Sequence, residues 1–245
     1  MKKLFLIFIL LFNCYISNGL FAASDELNKT NNEILKNKII CIDAGHGLTS
    51  KKYNEKIAPT ASETKPAFAT GTRGSKYTEE ELVLIVAKKL QTKLISMGAT
   101  VIMTRENHET TLSNIERAKF ANDAKADISI KLHADGVANK NARGMSVLVP
   151  SLKYVKAPNV VAESRKIAEI ILKNCLATTG AHKRGITEHS DMTGLNWSTV
   201  PVILLEMGFM TNDVEDKLLS TDEYQNKVVD GIVNGVLEYY GLEKL

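Results

Sequence analysis

Short strand-like apolar runs alternate with longer helical patterns through most of this chain, and that alternation restricts its architecture more than any other feature. Strands are predicted at residues 39–43, 99–104, 127–133, 145–149 and 200–206. Between or after them, a 3.6-residue period predicts helices over residues 79–97, 112–124, about 160–177, 214–219 and 224–240. Strand alternating with helix implies an α/β fold, a single three-layer domain with a mostly parallel central sheet flanked by helices.

The first residues read differently. Lys2 and Lys3 precede the apolar run "LFLIFILLF", and small residues follow at Ala22 and Ala23. This is the pattern of a secretory signal peptide, assigned to residues 1–23, with a polar linker at 24–36 and the main domain at 37–245. The run is broken by Asn13 and falls short of the roughly 20 residues that span a bilayer, so no stable membrane span is expected after cleavage. Asn13 before Cys14 is not the small residue a lipid-attachment site wants. Losing Lys2 and Lys3 lowers the formal charge from +3 to about +1, and no basic patch points to nucleic acid. Cys41 and Cys175 remain, too few for a disulfide scaffold, so stability must come from a packed core.

In open α/β sheets ligands collect at the carboxyl ends of strands. "KIICIDAGH" ends at His46, "ADISIKLH" at His133 and "VPVILLE" at Glu206. Each alone has a bland explanation, but two histidines converging at one edge are what a zinc ion needs, together with a third ligand. The helix beginning "TEEELVLIVAKKL" offers one. Its apolar stripe of Val83, Val86, Leu90, Leu94 and Met97 has Glu79 near its centre, with Glu80 at the flank and Glu81 on the far side. Glu81 also completes a capping box with Thr78. Glu79 is then a buried first-turn carboxylate, and either metal ligation or the helix dipole accounts for it. Glu206 is left as a general base.

Other chemistries find less support. His108-Glu109 has no second histidine at HExxH spacing, no GxSxG elbow occurs, and Cys41 lies mid-strand. His182 and His189 are expected in a solvated loop that no strand delivers. The long connection 48–77, directly after His46, is either a groove wall or an insertion without a role.

At these residues the chain resembles the zinc-dependent N-acetylmuramoyl-L-alanine amidases of the amidase type 3 group, bacterial cell-wall hydrolases, over about residues 38–240. "IDAGHG" is similar to the family's first zinc-histidine motif, which implies His46 as a ligand. "TEEELVLIVAKKL" is similar to its acidic helix start and implies Glu79. "VIMTRE" and "ADISIKLHAD" resemble the next strand pair and imply His133, and "VPVILLEMGFMTN" resembles the strand of the catalytic glutamate, here Glu206. The resemblance implies Zn2+ as cofactor, peptidoglycan as substrate, and hydrolysis of the amide between N-acetylmuramic acid and L-alanine. It also implies a secreted protein at the cell wall, periplasm or extracellular face of a bacterium. A monomer is expected, and an activating partner is left open. Lys131 stands where the family usually has serine and Asp135 where asparagine is common, departures that would alter the site rim without touching a ligand. Only a short loop separates His133 from Met145, so the site is expected to be open rather than occluded by an inserted helix. A zinc peptidase acting on the stem peptide and a non-catalytic wall-binding protein remain as alternatives.

Overall fold

A strand that is apolar at nearly every position can only be satisfied with cover on both faces, and β1 (Ile39–Ala44) has five of its six residues buried. The computed structural model describes residues 33–245. The expected signal peptide and residues 24–32 of the expected linker lie outside the described residues. Packing begins before residue 37: Leu35 is fully buried, and its amide donates to the Met97 carbonyl at 2.8 Å.

Six strands form the central sheet in the order β4-β1-β5-β8-β6-β7, where β4 is Thr100–Met103, β5 Ile128–Asp135, β6 Met145–Pro150, β7 Lys183–His189 and β8 Val202–Phe209. All neighbours run parallel except β6 and β8. The three-layer expectation holds. Helices α1 (Glu79–Ser96), α3 (Pro158–Thr179) and α6 (Asp222–Tyr239) cover one face over a continuous apolar core. On the other face lie α2 (Asn114–Asp123) and the single turn α4 (Thr193–Asn196), packed on Cys41 and on Val202 and Leu204 respectively. Helix α5 (Asp213–Leu219) follows β8.

The two-residue period of a strand sorts β5 cleanly. Ile128, Ile130, Leu132 and Ala134 enter the large core, so Ser129, Lys131, His133 and Asp135 point to the α2 and α4 face. Polar side chains concentrate on that face toward the carboxyl ends of β1, β5 and β8. Helix boundaries follow local chemistry: the Thr78 amide donates to Glu81 Oε2 at 2.9 Å, Ser113 and Glu116 cap α2 reciprocally, and Gly180 ends α3 in the left-handed region at φ 70°.

Three features differ from the sequence expectation. Residues 183–189 are not loop but the edge strand β7, which delivers His189 at its end. "KRGITEH" has one apolar side chain, and its place in the sheet is set by backbone pairing to β6 rather than by burial. The connection 48–77 contains a hairpin, β2 (Asn54–Lys56) with β3 (Thr64–Pro66). Strand β8 continues three residues past Glu206. No helix among the described residues is long and apolar enough to cross a membrane.

Candidate metal centre and active site

The apolar run of β1 delivers His46 onto a turn that two arginines hold from below. Arg105 donates to the carbonyls of Ala44 and Gly45 at 2.9 and 2.8 Å, and Arg117 donates to those of Ala44, at 2.8 Å, and His46. His46 takes a left-handed backbone, φ 56°, which is strained for a residue with a Cβ and persists only where surroundings impose it. Its Nδ1 donates to the Ala69 carbonyl at 2.8 Å, which leaves Nε2 free to face inward. Ala69 belongs to the 48–77 connection, so that segment orients a site residue and is not an idle insertion.

Glu79 reaches the same point from the first turn of α1. Its Oε2 accepts from the Thr72 amide at 2.9 Å, and its Oε1 accepts from the Ala134 amide at 3.1 Å. His133 arrives from β5. His46 Nε2, Glu79 Oε1 and His133 Nδ1 form a triangle with edges of 3.0, 3.0 and 3.1 Å. Burial alone would raise the Glu79 carboxyl, but the two imidazoles hold it well below the usual carboxylate range. The same Glu79 charge raises His46 against the effect of its burial, whereas at His133 burial prevails and lowers it.

This donor set fits a metal ion. Three atoms at those separations can all be reached by one ion about 2.0–2.1 Å from each, and two imidazoles with one carboxylate is a familiar catalytic zinc set with a position left for water. Gly45 secures the approach of the third ligand: a Cβ at residue 45 would lie 2.4–2.8 Å from three atoms of the His133 ring. Gly45→Ala should therefore push the ring out of line and lower retained metal at least tenfold, read as metal content after dialysis against a weak chelator.

Glu206 stands on β8 directly opposite His133 on β5. Its Oε2 is buried with no hydrogen-bond partner. Burial, then the charges of Glu79 and Asp135, push this carboxyl well above its ordinary value. An unpartnered carboxylate oxygen on the strand that pairs with a metal-ligating histidine is costly for structure and useful for proton transfer.

Below this centre lies a buried ionic layer that motif reading missed. Asp43 accepts from Arg117 Nη1 at 2.7 Å, from Thr104 Oγ1 at 2.6 Å, and from Lys131 Nζ. Burial opposes the charge on Asp43, but Lys131 and Arg117 together hold its carboxyl far below the usual range. Lys131 is thus a buried residue in the layer beneath His133, deeper than an effect on the rim alone would need. The available signal was a charged residue inside each apolar run, Asp43 in β1 and Lys131 in β5, the latter in phase with His133. His182 is exposed, and His189 pairs with Asp191 at 3.1 Å; neither belongs to the triangle.

Residues 40–238 match the model of the family described as N-acetylmuramoyl-L-alanine amidase. The chain belongs to that family. This amidase is 30% identical over 210 residues to YqiI of Bacillus subtilis (strain 168), across 85% of the chain and 87% of that protein. It is 27% identical to the N-acetylmuramoyl-L-alanine amidase AmiA of Escherichia coli (strain K12), across 89% of the chain and 84% of AmiA. It spans only 38% of the Bacillus subtilis amidase LytC, at 29% identity over 79% of the chain. The crystal structure of the amidase Ami1 from Mycobacterium smegmatis superimposes with a TM-score of 0.77 at 26% identity, over 84% of this chain and 98% of that one. The reaction of this amidase is hydrolysis of the amide joining N-acetylmuramic acid to L-alanine in peptidoglycan, and its family is metal-dependent. Of the readings left open by the sequence, this selects the amidase over the stem peptidase and the wall-binding protein.

Proposed function

We propose that this amidase is a zinc enzyme in which His46, Glu79 and His133 hold the metal and Glu206 moves the proton. The observation that carries the assignment is the triangle of ligand atoms with the unpartnered Glu206 oxygen on the adjoining strand. A divalent ion held there would polarise the scissile carbonyl, acidify the attacking water, and draw the Glu206 carboxyl back toward its ionised form.

The remaining work falls to the chain. Glu206 Oε2 accepts the proton of the attacking water and returns it to the nitrogen of the departing L-alanine, so one carboxylate serves as base and then acid. The Ala69 carbonyl and the Thr72 and Ala134 amides fix the orientation of His46 and Glu79. The apolar segment Ala67 to Ala69 lines the groove beside the site.

Residues 1–23 would export the protein, the polar residues after them would lead into a catalytic domain that already takes in Leu35, and a monomer would act on the wall outside the cytoplasm. One relative by fold, the Clostridioides difficile amidase CwlD, is known in complex with the lipoprotein GerS, which supports testing for an activating partner. The deciding experiment is mass spectrometry of purified peptidoglycan after incubation with the protein, with zinc and with a chelator. Zinc-dependent release of stem peptides with a free amino-terminal L-alanine, lost on chelation and restored by zinc, is the expected result. Release that persists in chelator would remove the metal from the mechanism.

A further inference from the structure

The chemistry above leaves one buried cation without a task. Lys131 precedes His133 by two residues on the same face of β5, opposite Asp43 on β1 and Leu204 on β8. Its side chain is 8% exposed. Of its three N–H donors, one meets Asp43 Oδ2, and among the described residues no second acceptor is bonded to it.

Asp43 does not need that cation for neutrality. Arg117 already faces its other oxygen, and all five Arg117 donors are committed, to Asp43, to the Thr110 hydroxyl, and to the carbonyls of Leu112, Ala44 and His46. The layer of Asp43, Arg117 and Lys131 therefore carries one surplus positive charge, and its unspent donors are all on Lys131. A buried ammonium in that condition is costly unless an acceptor reaches it.

Space for one exists. A cavity of about 520 Å³ is bounded by His46 and His133, by Lys131 and Leu204 on the sheet, and by Phe68 and Leu195 on the flanking segments. Gly194 of α4 faces the lysine so closely that a Cβ there would lie 3.1 Å from both Cε and Nζ. Any larger residue would cover the ammonium, so the glycine leaves it open to the cavity.

We propose that Lys131 is a specificity-determining residue that binds a free carboxylate of the stem peptide, namely the α-carboxylate of its second residue. The inference rests on the amidase reading above. Residues i and i+2 of a strand are about 6.6 Å apart. A chain of one residue beyond the scissile amide, with consecutive Cα atoms 3.8 Å apart, brings the next α-carboxylate to a similar distance from the reacting carbon. A second stem residue joined onward through its side chain would leave that carboxylate free unless it is amidated.

The test compares two muramyl tripeptides that differ only in whether this group is a carboxylate or a carboxamide. The metal-loaded protein should favour the acid by about 10- to 100-fold in kcat/KM, the range of a hydrogen bond to a charged group. Lys131→Met should abolish the preference by slowing the acid alone, and Lys131→Arg, which keeps the charge beside Asp43, should retain part of it. Equal use of both substrates by the native protein, or a preference that survives in Lys131→Met, overturns the proposal. If neither tripeptide is hydrolysed, the amidase reading fails instead. The subsite is then decided by calorimetry, in which the acid must bind more tightly than the amide.

Discussion

Glu206→Gln should retain metal at the level of the native protein and lose turnover on peptidoglycan by about 10²–10⁴-fold, the usual share of a positioned acid–base group. The substitution keeps shape and volume and removes only the capacity to accept and return a proton. Glu206 is the group to ask, because its Oε2 lies buried and unbonded on the residue paired with His133, whereas both oxygens of Glu79 are occupied. A variant that held metal and turned over normally would place the base elsewhere. A variant that lost metal would move Glu206 into the ligand set. Metal analysis and turnover on the same preparation separate these results, and Glu206→Asp, which withdraws the carboxylate by about one methylene, should fall between the two forms.

How far the sequence discloses this site depends on which physical signal each residue leaves. Helix α1 was legible because its apolar stripe has one phase, and that phase put Glu79 rather than Glu80 or Glu81 on the buried side, where it is found 5% exposed. His133 and Glu206 were legible as polar residues closing apolar runs, although β8 in fact continues to Phe209. Strand β7 left no such trace, since an edge strand with charged side chains is held by its hydrogen bonds to β6. Arg105 and Arg117 were illegible for another reason. Their value lies in binding carbonyls of the His46 turn, and a backbone acceptor has no sequence signature. Lys131 was visible as an unusual residue, but only the pairing of β5 with β1 places it under the ligands and not at the rim.

Asp43→Ala should lower stability by about 3–5 kcal/mol, because it leaves Lys131 and Arg117 as buried cations facing one another without their shared carboxylate. For a domain of this size each kcal/mol shifts Tm by about 2–4 °C, so a fall of roughly 6–20 °C is expected in thermal unfolding. The pH dependence follows from the direction of the shift. The folded-state value of Asp43 is depressed, so its contribution is fully present above the unfolded value of about 3.9 and is lost as pH falls below that toward the folded value. The Tm gap between the native protein and Asp43→Asn should thus be constant from pH 5 to 7 and narrow toward pH 3. A gap that widens on acidification would show that the carboxylate is not what the two cations stabilise. Loss of Asp43 should also reach the metal centre, since Arg117 is held by Asp43 and in turn holds the carbonyl of the strained His46. Metal affinity and Tm are then expected to fall together in Asp43→Ala, whereas Glu206→Gln lowers neither. That contrast separates the layer that builds the site from the residue that uses it.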